Sequence, residues 1–481
     1  METIGTQPQI GVLVPPTRAS NLTVSVIGTG YLGATHAVCM AILGHDVIGI
    51  DVDESKIDAL SRGLLPFFEP GLSELLCQAL ATGRLKFTTD FSAAGPADLH
   101  FICVGTPQAP DSDAADLHFV HAAVRRLSQH LRRRCLIVGK STVPIGTAAR
   151  LASLVRSLSP GGNAVELAWN PEFLREGHAV EDTLRPNRLV FGTASDWALA
   201  QLSNCYLPLI EAGTPVVATD LATAELVKAA ANSFLATKIS YINAMAEICE
   251  ATGADVNHLA SALAYDTRIG GQFLKPGLGF GGGCLPKDIR AFAYRARELG
   301  VGQAVSFLHE VDHINRRRRQ RTVDLISDLA YGNLDDVKVT VLGAAFKPDS
   351  DDIRDAPALD VARMLHAAGA RVTVFDPQAM DNARRKYPEL SYAASLEEAV
   401  TGAEVVALLT EWAIFQEADP VRLGQLVARR NIVDGRHVLD PKAYRAAGWD
   451  YRALGVPSPL NSLTLLPATI PGLVHDTASV Q

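Results

Sequence analysis

The chain has 481 residues, a formal net charge of −8 and 48% hydrophobic residues, which is enough apolar content for several domain cores. The acidic balance argues against nucleic acid as a partner, and no apolar run approaches the ~20 residues that span a membrane. The seven cysteines are scattered with no CxxC pair, which indicates neither a disulfide framework nor a metal site and fits a reducing cytoplasm.

The first predicted elements follow a leader, residues 1–20, that we expect to be disordered. A β-branched strand ends in Gly28-Thr29-Gly30-Tyr31-Leu32-Gly33, an apolar helix follows, and a second strand ends at Asp51. In this pattern Gly28 makes the turn, Gly30 admits a pyrophosphate and Gly33 lets helix and strand pack closely. Asp51 can bind a ribose 2′-hydroxyl and repel a 2′-phosphate, so NAD is favoured over NADP. The alternative is a glycine turn in an ordinary βαβ unit.

The alternation of strands and helices divides the chain into three folded parts. It predicts a doubly wound parallel sheet over residues 21–212 and an all-helical middle part over 213–330. From Val337 the alternation returns and predicts a second sheet over 331–455, with a loose tail over 456–481. The expected fold class is therefore α/β, with two doubly wound Rossmann-like domains joined by an all-helical middle domain. Gly343-Ala344-Ala345-Phe346 replaces the glycine fingerprint in the second sheet, which indicates a different ligand.

A glycine-rich run, Gly279-Phe280-Gly281-Gly282-Gly283, leads to Cys284. Glycines let the backbone approach a ligand closely, and this run places the thiol at the start of a helix predicted over residues 286–299. A helix N-terminus stabilises a thiolate, and Asp288 follows on the same helical face. The alternative is a small buried hydrophobe in a glycine-rich turn.

Two further segments carry candidate catalytic groups. Lys228 and Asn232 share one face of an alanine-rich helix, and a cation with an amide donor suits an oxyanion. Glu172 and Glu176 come directly after a predicted strand, where carboxylates suit water activation or contacts with ligand hydroxyls. Taken alone, these residues are equally compatible with solvated helix and loop positions.

Together these segments resemble the UDP-glucose 6-dehydrogenase family, within the wider group of nucleotide-sugar dehydrogenases. The resemblance runs from about Thr23 to Tyr451. It also rests on six shorter motifs: Val104–Pro107, Lys140–Thr147, Arg268–Gly270, Phe273–Gly277, Phe346-Lys347 and Asp352–Arg354. It implies a four-electron oxidation in which the C6 alcohol of UDP-glucose becomes a carboxylate while two NAD are reduced, through a cysteine thiohemiacetal and a thioester.

The resemblance also implies residue roles. Cys284 is the nucleophile, Lys228 and Asn232 stabilise the oxygen that becomes negative, Asp288 and Thr142 position or activate water, and Glu172 is a candidate acid/base. The implied NAD contacts are Gly28, Gly30, Tyr31, Leu32, Gly33, Asp51, Lys56, Thr106, Thr142, Glu176, Lys287 and Arg354. The implied nucleotide-sugar contacts are Glu172, Phe173, Leu174, Arg175, Lys228, Asn232, Arg268, Phe273, Leu274, Lys275, Pro276, Gly277, Gly281, Lys347 and Arg436.

Substrate identity stays open because the chain departs from the family at two positions. Many relatives have serine at the position of Gly283 and phenylalanine at that of Leu285, and a leucine there also occurs in GDP-mannose dehydrogenases. GDP-mannose and UDP-N-acetylhexosamines are therefore alternatives to UDP-glucose, which the longer match over Arg268–Gly270 and Phe273–Lys275 favours. A non-catalytic NAD or nucleotide-sugar sensor is an alternative of another class. A single-step hydroxy-acid dehydrogenase would need neither Cys284 nor the second sheet.

The last expectations concern assembly and charge. The resemblance implies a cytoplasmic homodimer built on the helical middle domain, with Arg268 reaching the nucleotide sugar of the neighbouring subunit. The basic run Arg316–Arg319, with Arg321, is predicted to be the solvated end of a long helix, or a patch near an anionic ligand or subunit interface.

Overall fold

The computed structural model describes residues 21–457, which form three units in chain order. The predicted disordered leader, residues 1–20, lies outside these residues, as does the predicted tail beyond residue 457. In the part of the chain that is described, no helix is long and apolar enough to cross a lipid bilayer.

The first unit is a doubly wound sheet with the strand order β3-β2-β1-β4-β5-β6-β7-β8. Its strands are β1 (Thr23–Ile27), β2 (Asp46–Ile50), β3 (Leu85–Thr88), β4 (Leu99–Ile102), β5 (Cys135–Gly139), β6 (Val165–Trp169), β7 (Leu189–Gly192) and β8 (Val216–Thr219). Neighbouring strands are parallel except β6 and β7, which meet in an antiparallel pair at Trp169 and Gly192. The predicted all-parallel arrangement is therefore wrong at this one pair.

Helices cover both faces of the first sheet, because its strands are apolar on both sides. Val24 and Val26 of β1 belong to one core, and Ile27 belongs to the other. The helices are α1 (Tyr31–Ile42), α2 (Glu54–Ser61), α3 (Leu72–Ala81), α4 (His118–Ser128), α5 (Thr147–Leu158), α6 (Ala179–Leu184), α7 (Asp196–Cys205) and α8 (Leu207–Glu211).

The middle unit is helical and begins later than predicted. Strand β8 belongs to the first sheet, so the boundary predicted at residue 213 falls before the end of the first unit. The helices are α9 (Leu221–Thr252), α10 (Val256–Ala264), α11 (Leu285–Glu298) and α12 (Phe307–Leu329). The Asp220 side chain accepts from Thr223 N and starts α9, and Gly253, with φ of +78°, ends it. Helices α9, α11 and α12 pack on one another.

The second α/β unit repeats the topology of the first. Its sheet has the order β11-β10-β9-β12-β13-β14, with each neighbouring pair parallel. The strands are β9 (Lys338–Leu342), β10 (Arg371–Phe375), β11 (Ser391–Tyr392), β12 (Val405–Leu408), β13 (Asn431–Asp434) and β14 (Asp450–Ala453). The helices are α13 (Pro357–Ala367), α14 (Met380–Lys386), α15 (Leu396–Val400), α16 (Ala413–Gln416), α17 (Pro420–Leu426) and α18 (Pro441–Ala446). The predicted fold class is confirmed.

Helix α12 joins the middle unit to the second sheet, and two arginines of its basic run, Arg318 and Arg319, are buried, unlike the solvated helix end that was one of the predicted alternatives. Val323, Ile326 and Leu329 belong to the core of the second unit. Arg318 is fully buried and pairs with Glu250 of α9, while Arg319 is buried and pairs with Asp355 at 3.2 Å. The run lies in the middle of the helix, where Arg319 connects it to the second unit, while the exposed Arg316 pairs with Asp312 of the same helix.

Candidate active site

The glycine turn after β1 has space for a ligand on one side. Gly28 has φ of +89°, a conformation that glycine adopts without strain. A Cβ at Gly33 would lie 1.7 Å from the Gly28 carbonyl oxygen, so α1 starts in direct contact with the turn. A Cβ at Gly30 would meet nothing within 4 Å. The first turn of α1, with Tyr31 and Leu32, therefore presents its N–H groups next to open space that suits a phosphate.

Asp51 stands at the end of β2 as an ionised acceptor. Its Oδ2 accepts from Thr29 N at 2.7 Å and pairs with Lys56 Nζ at 3.0 Å. Burial works to raise the pKa of Asp51, but the hydrogen bonds from Thr29, Lys56 and Asp53 outweigh it and lower that pKa below its ordinary value. A carboxylate beside the glycine turn fits the ribose hydroxyls of NAD, and Lys56 lies beside it.

A narrow cleft separates the first unit from α11. Thr106 donates through Oγ1 to the Thr142 carbonyl at 2.9 Å, which joins two loops at the carboxyl ends of β4 and β5. The cleft is lined by Thr106, Pro107, Gln108, Ala115, Thr142, Val143, Pro144, Ile145, Ala229, Lys287, Asp288, Ala291, Phe292 and Arg295. Three predicted NAD contacts, Thr106, Thr142 and Lys287, therefore share one cleft with Asp288.

Cys284 stands at the N-terminus of α11, as predicted, and its carbonyl accepts from Asp288 N at 3.0 Å. The glycines before it pack against the second unit. A Cβ at Gly281 would lie 2.2 Å from the Asp355 carbonyl oxygen, and a Cβ at Gly282 would lie 2.7 Å from the Phe346 ring. These glycines were expected to let the backbone approach a ligand. In the structure they let the middle unit pack closely against the second sheet.

Cys284 is exposed as a residue, whereas protein atoms surround its thiol group closely. This burial, followed by the negative charges of Asp288 and Glu172, raises the pKa of the Cys284 thiol to about 12. The nearby cations Lys228 and Lys287 act in the opposite direction but do not compensate. The helix N-terminus predicted a thiolate, whereas the surrounding carboxylates favour the protonated thiol.

Two charged or polar pairs surround the thiol. The buried Lys228 ammonium pairs with Glu172 Oε1 at 3.1 Å. Burial works to lower the pKa of Lys228, but Glu172, Cys284 and Asp288 together raise it, so the ammonium stays charged. Asn232 donates through Nδ2 to Asp288 Oδ2 at 2.7 Å, and Lys287 donates to the other Asp288 oxygen at 2.5 Å. The structure thus brings the predicted catalytic residues Cys284, Lys228, Asn232, Asp288 and Glu172 together.

The loop after β6 supplies Glu172 and the residues that follow it. Glu172 Oε2 accepts from Leu174 N at 2.8 Å, which fixes the turn of the loop. The Arg188 guanidinium stacks over the Phe173 ring, with its Cζ atom 3.8 Å from the ring centroid. Arg175 pairs with Asp182 through its main-chain N–H and two guanidinium nitrogens. Arg175 therefore holds the loop to α6.

Glu176 faces the second unit. Its carboxylate accepts from Arg354 Nη2 at 3.3 Å and from Ser350 Oγ at 3.2 Å. Burial, followed by repulsion from Asp352, raises the pKa of Glu176 to about 7. A Cβ at Gly283 would lie 2.3 Å from the Arg354 guanidinium carbon, so Arg354 lies directly over the glycine run. Glu176 and Arg354, both predicted NAD contacts, are neighbours across the contact between units.

Lys347 and Arg436 come from the carboxyl ends of the second sheet. Lys347 is partly buried, and burial lowers the pKa of its ammonium despite the nearby Glu176. Arg436 donates to the carbonyls of Leu409, Gly279 and Phe346 at 2.7, 3.1 and 3.3 Å. Through these hydrogen bonds, Arg436 connects the second sheet to the glycine run.

The predicted substrate loop has a buried part and an exposed part. Leu274, Pro276, Gly277 and Gly281 are buried, and Gly277 N donates to Asn243 Oδ1 at 2.9 Å. Phe273, with φ of +60°, and Lys275 are exposed. Arg268 is also exposed, and its guanidinium pairs with Asp266 at 2.6 Å rather than with any group around Cys284. Arg268 therefore does not join the site of its own chain.

Two buried carboxylates that shape the site were not identified from the sequence. Glu225 of α9 accepts from Gly146 N and Ala148 N, both at 2.6 Å, and so holds the start of α5 after the Thr142 loop. Glu69 accepts from the main chain of the Glu172 loop. Their partners are main-chain N–H groups, which every residue except proline carries, so no residue pattern could reveal either contact.

The two sheets, the glycine turn with its acid, and the thiol set among carboxylates and a lysine define an NAD-linked dehydrogenase with a second nucleotide-binding unit. Three profiles of one family match in order: its NAD binding domain over residues 22–210, its central domain over 222–317 and its UDP binding domain over 340–441. The chain belongs to the UDP-glucose/GDP-mannose dehydrogenase family.

Individual relatives are similar over nearly the full chain. The UDP-glucose 6-dehydrogenase TuaD of Bacillus subtilis (strain 168) is 39% identical over 90% of this chain and 93% of its own length. The UDP-glucose 6-dehydrogenase of Rhizobium meliloti (strain 1021) is 39% identical over 90% of this chain and 99% of its own length. A solved UDP-glucose dehydrogenase from Pyrobaculum islandicum is 38% identical with a TM-score of 0.84, covering 92% of this chain and 100% of that one.

Proposed function

We propose that the chain catalyses the NAD-dependent, four-electron oxidation of UDP-glucose to UDP-glucuronate at Cys284. The observation that carries this proposal is an exposed cysteine, Cys284, set near the Lys228–Glu172 ion pair and the Asn232–Asp288 hydrogen bond. A single alcohol oxidation needs no nucleophile, whereas oxidation to an acid through a bound aldehyde does. Relatives named UDP-glucose dehydrogenases at 38–39% identity support the substrate.

In the first stage the C6 hydroxyl loses its proton. NAD, when bound, supplies the hydride acceptor for both oxidation stages. The Lys228 ammonium and the Asn232 amide stabilise the oxygen as it becomes negative, because both are preorganised donors in a buried setting. Glu172, which pairs with Lys228, is the proposed acceptor of the hydroxyl proton. The product of this stage is an aldehyde at C6.

In the second stage Cys284 carries the sugar carbon. The thiol sulfur forms a bond with the aldehyde carbon while its proton passes, through the neighbouring carboxylates, to the aldehyde oxygen. The raised pKa of Cys284 means that the thiol must lose its proton as the C–S bond forms, and the proposed acceptors are Asp288 and Glu172, whose charges act on the thiol. Oxidation of this thiohemiacetal gives a thioester. Water positioned by Asp288 and Thr142 then attacks the carbonyl, the C–S bond breaks, and the carboxylate and the thiol are released.

Other nucleotide sugars are the competing substrates. A UDP-D-ManNAc dehydrogenase from Pyrococcus horikoshii shares the fold at a TM-score of 0.79, but its identity is 26%. GDP-mannose is a second alternative substrate, because a leucine at the position of Leu285, beside Cys284, also occurs in GDP-mannose dehydrogenases. The higher identity of the UDP-glucose enzymes favours UDP-glucose.

A substrate panel tests this proposal. UDP-glucose, GDP-mannose and UDP-N-acetylhexosamines are each incubated with NAD, and NADH and the sugar product are quantified. We expect two NADH per UDP-glucose and UDP-glucuronate as the product. One NADH per sugar would contradict the two-stage reaction, and a preference for another nucleotide sugar would contradict the assigned substrate.

We also propose a homodimer that forms through the middle unit. Phe234, Tyr241 and Ile248 of α9 are exposed at seven-residue spacing, so they lie on one face of the helix. Tyr265 and Ile269, beside Arg268, extend the exposed apolar surface. Exposed apolar side chains along one helix face suit packing against a second copy of the same chain.

A further inference from the structure

Glu69 lies between α2 and α3 and is only 4% exposed. Its Oε2 accepts from Gly177 N at 2.6 Å and from the Tyr31 hydroxyl, and its Oε1 accepts from Ala179 N at 2.6 Å. A buried carboxylate that accepts several hydrogen bonds is a strong, charge-assisted anchor. Losing one acceptor there leaves a buried donor unsatisfied.

The donors to Glu69 come from two parts of the proposed site. Tyr31 is the first residue of α1, in the glycine turn implied to bind NAD. Gly177 and Ala179 end the loop that carries Glu172 and Glu176. Burial and the hydrogen bond to Glu69 raise the pKa of the Tyr31 phenol well above its ordinary value, so the phenol stays protonated and donates. One carboxylate therefore connects the cofactor turn to the catalytic loop.

The other side of the same loop rests on the second unit. Gly177 has φ of +78°, and a Cβ there would lie 2.9 Å from the Asp349 carbonyl oxygen. Glu176 pairs with Arg354 and Ser350. The loop, which belongs to the first unit, is thus enclosed between the second unit on one side and Glu69 on the other.

We propose that Glu69 is a positioning residue that holds the Glu172 loop in register with the NAD-binding turn. Its three partners donate to both of its oxygens, so the site needs the two acceptor oxygens of a carboxylate rather than the single one of an amide. A glutamine would present an N–H group to at least one of these donors. This inference rests on the proposed role of Glu172, but the position of the loop can be measured without the reaction.

The first measurement is amide hydrogen exchange of peptides covering residues 171–184, with and without NAD. In the unaltered protein we expect slow exchange that slows further when NAD binds. In Glu69→Gln exchange should be faster by about tenfold or more, and NAD should restore little of the protection. Unchanged exchange in Glu69→Gln would overturn the inference whatever the substrate of the enzyme proves to be.

The second measurement is steady-state kinetics with UDP-glucose. Glu69→Gln should lower kcat by about tenfold or more and raise the KM for UDP-glucose, with the Kd for NAD changed by less than about threefold. Tyr31→Phe, which keeps the ring against Phe67, should act in the same direction but more weakly. The double variant should lose less than the sum of the two single losses, because the Tyr31 hydroxyl, at 3.2 Å, and Glu69 both accept from Gly177 N. Additive losses would contradict this.

Glu250→Gln is the matched control for stability. Glu250 also accepts from a main-chain N–H, that of Gly455, at 2.7 Å. It lies on α9 some 18 residues beyond Asn232, or about 27 Å along the helix. We expect this variant to lower the melting temperature but to leave kcat and exchange over residues 171–184 unchanged. If it reproduces the kinetics of Glu69→Gln, general destabilisation explains both and the positioning role is wrong.

Discussion

Replacement of Cys284 by alanine should abolish formation of the acid, because no thiohemiacetal can form. We expect UDP-glucuronate production to fall by roughly a thousandfold or more. Cys284→Ser should stall as a slowly hydrolysed ester, since an alkoxide is a poorer leaving group than a thiolate. The measurement is NADH and UDP-glucuronate per UDP-glucose. A near-normal rate of acid formation in Cys284→Ala would exclude covalent catalysis by this residue.

The raised pKa of the Cys284 thiol, about 12, predicts a distinct pH profile for alkylation. Only the thiolate reacts, so the iodoacetamide rate at Cys284 should climb about tenfold per pH unit from 7 to 10 without a plateau. Asp288→Asn removes a repulsive charge, lowers the thiol pKa and should speed alkylation at pH 8. Mass spectrometry follows each cysteine separately, and the exposed Cys77 serves as the reference thiol. A plateau at Cys284 below pH 9 would contradict the prediction.

Asp51 should determine the choice of cofactor. NADP should be a poor substrate, because its 2′-phosphate meets a carboxylate and loses the ribose hydrogen bonds. Asp51→Ala should lower kcat/KM for NAD by about tenfold to a hundredfold. The ratio of kcat/KM for NAD to kcat/KM for NADP should therefore become smaller. Kinetics with both cofactors provide the measurement. Equal use of NAD and NADP by the unaltered protein would refute this role.

The glycine run before α11 offers a test of one element. Gly282→Ala is strained at φ of +85° and places a methyl group against the Phe346 ring, so it should cost about 2–3 kcal/mol of stability and lower kcat. Gly283→Ala is the matched control, because its φ is not positive and the obstructing atoms belong to the flexible end of Arg354. It should fold normally but raise the KM for NAD, if Arg354 binds NAD as predicted. Thermal melts measure the stability of both variants, and equal losses in Gly282→Ala and Gly283→Ala would contradict this prediction.

The elements of the two sheets were largely predictable because apolar, β-branched runs alternate with helical patterns. The sequence pattern did not predict the short strands β3, β8, β11 and β14. Strand β8 carries two exposed residues and comes directly before α9, so its pattern merges with the helix. The two-residue strand β11 is too short to show any period.

The predicted catalytic residues were found from helical spacing and family motifs, and the structure brings them together. The pairing of Lys228 with Glu172 was not predictable, because the two residues lie on different units and only the fold determines that they meet. The same holds for the buried arginines of α12, whose carboxylate partners Glu250 and Asp355 are distant in the chain. Tertiary contacts of this kind leave no local pattern.

At the scale of the whole molecule, Arg268 should act on the neighbouring subunit. It is exposed on its own chain and lies beside the apolar surface proposed for dimerisation. Arg268→Ala and Cys284→Ala should each reduce the homodimer's activity by roughly a hundredfold or more, while mixing them under subunit exchange should restore part of it. One site of the heterodimer then has an intact cysteine and an intact arginine. Confirmed heterodimers without restored activity, or a monomer in solution, would contradict a shared site.

The packing of Gly281 and Gly282 against Asp355 and Phe346 has a consequence for the order of events during synthesis. A ribosome completes Cys284 before it has made the residues that enclose the glycine run. Until the second sheet has folded, the glycine run lacks these neighbours, so Cys284 is less enclosed by protein than in the mature enzyme and meets oxidants and electrophiles more readily. Newly made chains should therefore be more vulnerable to inactivation at this residue than mature enzyme, and slow translation of the last third of the chain would prolong that exposure.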